Sequence, residues 1–133
     1  MGSPKETVDS FITAYAEWNQ GSNERCKSLT PGSIEDQGAM KMAESEYSDI
    51  IKRLGSKTVV PQPISFGDLA MHDPEHESIK ETSIEGSTAT VSTENIDIHG
   101  YVQKYEYRVV LESNEWRIAS LQYIDDEGSY ECL

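Results

Sequence analysis

Cysteine is nearly absent from this chain: Cys26 and Cys132 are the two it has. So few exclude a disulfide framework, and neither has a partner at metal-ligand spacing. A single bridge between them stays open at this level. Basic residues are scarce too, 11 lysines and arginines against 24 acids, for a formal net charge of −13. A chain of that sign repels phosphate, which argues against nucleic acid as a partner. It suits a basic protein partner, which it attracts and steers. Apolar runs of membrane-spanning length are missing, and the N-terminus has no signal-peptide core. The expectation is a soluble, cytoplasmic protein with no membrane association. Phosphate-binding loops and Ser-His-Asp or Cys-His signatures are also missing.

What is there begins with a well-marked helix. Ser3-Pro-Lys-Glu6 forms a capping box with proline at the first helical position. Val8, Phe11, Ile12, Tyr15 and Trp18 recur at helical spacing and make an apolar face. Gly21 predicts its end, and a short helix is expected over Glu24–Leu29, before Pro31-Gly32. A further helix starts at Ser33 and turns Met40, Ala43, Tyr47, Ile50, Ile51 and Leu54 to a core, with Gly55 as its stop.

After Gly55 the pattern becomes that of strands. Thr58–Val60 and Ile64–Met71 are candidates, with Pro61 and Pro63 confining the first to an edge or an irregular segment. Ile79–Ile84 and Thr88–Glu94 predict a hairpin through Glu85-Gly86-Ser87. The strongest local signal is the segment from Lys104 to Ile124. Tyr105, Tyr107, Val109 and Leu111 alternate onto one face, and a turn at Ser113-Asn114 leads to Trp116, Ile118 and Ile124 on one face of the next strand. The fold class is therefore α+β, with N-terminal helices on a strongly curved antiparallel β-sheet of four to six strands. One domain covers 1–133, with helices over about 4–55, the sheet over about 57–125 and an acidic tail over 125–133.

The order of elements resembles the nuclear transport factor 2-like superfamily. The residues that carry the likeness are the first helix, Val8-Asp-Ser-Phe-Ile-Thr-Ala-Tyr-Ala-Glu-Trp18, and the closing hairpin, Tyr105-Glu-Tyr-Arg-Val-Val-Leu-Glu-Ser-Asn-Glu-Trp-Arg-Ile118. Such domains are cones with a pocket between helices and sheet. Within the superfamily the chain is most similar to immunity proteins of bacterial polymorphic toxin systems, through its size, its acidic balance, Trp18-Asn19 and Trp116-Arg117-Ile118. The resemblance implies a non-catalytic protein, without cofactor, that neutralises a cognate toxin by direct binding. Isomerases, dehydratases, small-ligand binders and dimerising modules share the fold, so an enzyme using the cone pocket and a homodimer paired through the sheet face are the alternatives.

Two acidic clusters are the candidates for touching a basic toxin: Asp73, Glu75 and Glu77, and Asp125, Asp126 and Glu127. Carboxylates there would stand in for the phosphates of the toxin's own substrate. Should the cone instead hold a catalytic pocket, Asp97 and His99 are candidates for acid–base chemistry, and Tyr15, Tyr47, Tyr101 and Tyr105 for hydrogen-bond donation to a developing oxyanion. The stretch His72-Asp-Pro-Glu-His-Glu77 has metal-ligand residue types, but Pro74 prevents a regular helix from presenting His72 and His76 together. It reads as a solvated loop, and no metal is expected.

Overall fold

The computed structural model describes residues 2–133. Two helices, α1 (Pro4–Cys26) and α2 (Ile34–Leu54), precede five strands, β1 (Glu77–Glu85), β2 (Thr88–Ile96), β3 (Val102–Glu112), β4 (Glu115–Asp125) and β5 (Gly128–Glu131). The strands form one antiparallel meander in the order β1-β2-β3-β4-β5. The expected α+β layout is what forms, with the sheet left open.

Both helices begin as their caps dictate. The Ser3 hydroxyl accepts from the Glu6 amide, and Ser33 does the same for Asp36. Gly21 does not end α1, which continues through it to Cys26. A helical glycine costs about 1 kcal/mol, and tertiary contacts beyond it offset that cost. Ser22 is buried, and Arg25 pairs with Glu46 of α2 at 2.9 Å. The Trp18 indole donates to the Ala43 carbonyl at 2.9 Å and so joins the two helices inside the core. The C-terminus of α2 is capped from the sheet. Arg117 of β4 donates to the carbonyls of Lys52, Arg53 and Gly55, placing a cation at the negative end of the helix dipole.

The inward face of the sheet carries Ala89, Val91, Thr93 and Asn95 from β2, Tyr105, Tyr107 and Val109 from β3, and Ile118 and Leu121 from β4, all buried. The helices cover it with Val8, Phe11, Ile12, Tyr15, Trp18, Tyr47 and Ile51. The outward face carries Thr90, Ser92, Glu94, Lys104, Glu106 and Arg108. Two bulges curve the sheet, at Lys80 on β1 and Ala119 on β4, where the pairing registers shift. The second bulge corrects the expected phase of β4. Ile118 and Leu121 both face inward, and Ile124 lies opposite Lys104 on the outward side. The Ser113-Asn114 turn forms with both residues at positive φ, 50° and 67°, the geometry of a type I′ hairpin turn.

One further expectation differs. Residues 57–76 form no strand, because Pro61 and Pro63 lack amide donors and the segment bonds to other parts of the chain. Gln62 donates to Leu133, and Asn19 of α1 holds Gly67 by both its amide and its carbonyl, at 3.1 and 2.9 Å. The acidic tail joins the sheet: β5 pairs with β4, and Leu133 is buried in the core. Cys26 and Cys132 are free thiols.

Gly55 stands where α2 meets β4, and a Cβ there would lie 2.6 Å from the Ile51 carbonyl oxygen. Backbone must shift to accommodate it. Gly55→Ala should therefore cost about 1–3 kcal/mol, read as a lower urea midpoint at unchanged m-value.

Candidate functional site

The polar groups that the fold brings together lie inside it. Asp73 starts a tight turn before β1: its side chain accepts from the Glu75 amide at 2.8 Å, and its carbonyl accepts from His76 and Glu77. The Asn95 side chain donates to the Met71 carbonyl at 3.0 Å and holds the segment before that turn against β2. Together these contacts drive His72 into the interior and leave Glu77 as the first, inward-facing residue of β1.

His72 is 1% exposed and Glu77 5%, so neither belongs to a solvated loop. Glu77 is thus removed from the acidic surface cluster expected of it, because the strand phase that begins there turns it to the core. Its Oε1 lies 2.6 Å from His72 Nδ1. Its Oε2 accepts from the Thr93 hydroxyl and from the Tyr107 hydroxyl, each at 2.6 Å. With a carboxylate at that distance, Nδ1 carries a proton. Burial by itself pushes the Glu77 carboxyl up, but the hydrogen bond and charge of His72 and the two hydroxyl donors outweigh it and hold the group below its ordinary 4.5. Tyr107 is driven well above the ordinary phenol range, first by burial and then by the Glu77 charge it faces.

An imidazole oriented by a carboxylate is the arrangement of a general base. Here the imidazole reaches no space. His72 is ringed by Phe11, Tyr15, Tyr105 and Tyr107, with ring centroids 4.7–6.1 Å away. Its Nε2 is buried and meets no hydrogen-bond partner among the described residues. The nearby void, lined by Tyr15, Trp18, Tyr47, Met71 and Cys132 among others, measures about 50 Å³, room for little more than water. Among the described residues no group of three or more His, Cys, Asp or Glu side chains converges as a metal site would require.

The other expected site residues are scattered. Tyr15 and Tyr47 are core aromatics whose hydroxyls burial pushes up, Tyr15 to about 12. Tyr105 is buried and likewise raised, first by burial and then by the Glu77 charge. Asp97 and His99 do not form a pair. Asp97 Oδ1 accepts from the backbone amides of His99 and Tyr101, at 2.8 and 3.0 Å, and His99 is exposed. Asp97 is a turn-former, although it also borders an open cleft of about 380 Å³ with Tyr15, Asn95 and Gln103. Asp73 is partly exposed, and Glu75, Asp125, Asp126 and Glu127 are exposed. Sequence reasoning overlooked Thr93 and Tyr107 as ligands of Glu77. The available signal was their phase: Thr93 follows Val91, and Tyr107 precedes Val109, on the inward side, where a hydroxyl needs a partner.

Comparison with known proteins adds little to this geometry. No family model matches the chain, and no curated protein matches it. Among solved structures it is similar to a protein from Campylobacter jejuni described, provisionally, as an NTF2-like transpeptidase. That likeness is at 8% identity with a TM-score of 0.35, over 86% of this chain and 92% of that one. A score so low assigns neither family nor activity.

Removing the Glu77 charge should strand its buried partners. Glu77→Gln is expected to cost about 3–5 kcal/mol at neutral pH, measured by urea unfolding. A lowered native pKa stabilises the fold above the unfolded value and stops doing so as pH falls through the native one. The gap between wild type and Glu77→Gln should therefore be full above pH 4.5 and narrow below it.

Proposed function

We propose that this chain is a non-catalytic binding protein, and that its role is immunity: it neutralises a cognate bacterial toxin by covering a basic surface of that toxin. The observation that carries the binding reading is the convergence of acids at one end of the sheet. Strand pairing sets Glu77 opposite Asn95, Ile96 opposite Val102, Lys104 opposite Ile124 and Asp125 opposite Gly128. The turn bearing Asp73 and Glu75 and the turn bearing Asp125, Asp126 and Glu127 therefore sit at the same end, some fifty residues apart in sequence. Most of the net charge of −13 has no pairing: the carboxylates in ion pairs with arginine are Glu46 and Glu115 among the described residues. Such a face raises the encounter rate with a basic protein.

The immunity role draws on the resemblance of the first helix and the closing hairpin to those of immunity proteins. The filled interior supports a surface mode of action, since acid–base catalysis needs a group that a substrate can reach. Away from the exposed Ile96–Val102 pair at one end, the outward face of the sheet is mostly polar, which favours a different partner over homodimerisation.

The test is co-expression with the product of the neighbouring gene, followed by co-purification and growth rescue. A stable complex that rescues growth and associates more slowly as salt rises is expected. Charge reversal at Glu75, Asp126 and Glu127 together should slow association by about 10-fold or more. Absence of both complex and rescue refutes the immunity role.

A further inference from the structure

Between the two acidic turns stands the β2–β3 tip, residues 97–101, which exposes large apolar side chains. Ile98 is 62% exposed and Tyr101 71%, with Ile96 and Val102 exposed directly behind them as a cross-strand pair. Four large apolar side chains on one hairpin tip are costly to leave in water. The tip is also rigidly built. Asp97 accepts from the His99 and Tyr101 amides through its carboxylate. Its own amide donates to the Tyr101 carbonyl at 3.1 Å, its carbonyl accepts from Gly100 at 3.0 Å, and Gly100 takes the φ of +84° that the turn needs.

Resting on the immunity reading above, we propose that the β2–β3 tip is the anchor of the interface: Ile98 and Tyr101 enter an apolar socket on the partner that is ringed by lysine and arginine. Charge complementarity argues for that occupant. Asp73 and Glu75 lie on one side of the tip in the sheet order and Asp125, Asp126 and Glu127 on the other, so an apolar centre is flanked by carboxylates. That is the anatomy of a specific interface, with a desolvated centre inside a polar rim. Tyrosine is enriched among residues that dominate such interfaces, and a turn already fixed by Asp97 loses little freedom on docking. In this reading Asp97 is a positioning residue, acting through the shape of the turn.

The experiment measures the affinity of the full chain for the purified product of the neighbouring gene, in wild type and in Ile98→Asp, Tyr101→Ala, Tyr101→Phe and Ile84→Asp. Ile84 is 57% exposed on β1 near the β1–β2 turn, at the opposite end of the sheet. Every substituted residue is exposed, and unchanged thermal melts confirm that the variants fold. We expect Ile98→Asp and Tyr101→Ala each to weaken binding by about 10-fold or more through faster dissociation, with Tyr101→Phe and Ile84→Asp close to wild type. Tight wild-type binding left untouched by Ile98→Asp and Tyr101→Ala overturns the tip as anchor while leaving the immunity reading standing. Loss of affinity in Ile84→Asp equal to that in Ile98→Asp also overturns it. No binding by wild type overturns both.

Discussion

A carboxylate sealed away from water has to find its donors in the protein, and Glu77 finds three. His72 comes from the irregular segment, Thr93 from β2 and Tyr107 from β3. A buried charge left without partners would cost several kcal/mol, so this one fixes how the three elements meet. It holds the 57–76 segment down beneath α1, and it sets β1 in register with β2 at the end of the sheet where the acidic turns and the β2–β3 tip emerge. The shape of that end follows from an interaction buried away from the surface.

The same interaction explains why the interior carries the residue types of a catalytic site around a buried imidazole. A His–Glu pair amid tyrosines has the residue types of acid–base chemistry. Phe11, Tyr15, Tyr105 and Tyr107 pack around the His72 ring, and Glu77 engages internal donors through both oxygens. Polar residues inside the fold thus fix its structure, while the acidic and apolar residues exposed at that end of the sheet lie in the turns. A division of this kind lets the scaffold stay rigid as the turns vary in charge and shape.

Much of the fold was legible in the sequence, and for identifiable reasons. Serine caps and apolar spacing marked both helix starts, the Glu85-Gly86-Ser87 turn marked the β1–β2 hairpin, and period-2 alternation marked β3 and β4. Gly21 misled because propensity is a weak prior that helix–helix contacts override. The phase of β4 was misread because a bulge at Ala119 leaves no local mark in the sequence. The site was less legible. His72 and Glu77 sit in a stretch whose composition is that of a wet loop, and only the pairing of β1 with β2, a long-range event, turns them inward. Asp97 and His99 alternated as an extended pair would, but the Asp97 carboxylate bonds to backbone and shapes a turn.

The ionised state of the buried Glu77 organises the end of the molecule proposed above to meet a partner. Its most direct measurement is the carboxyl ¹³C resonance of Glu77 followed by NMR from pH 7 downward in the native protein. The resonance should stay at its ionised position as the pH falls past 4.5 in the folded protein. A carboxyl that takes up its proton above pH 4.5 while the fold remains intact would contradict it.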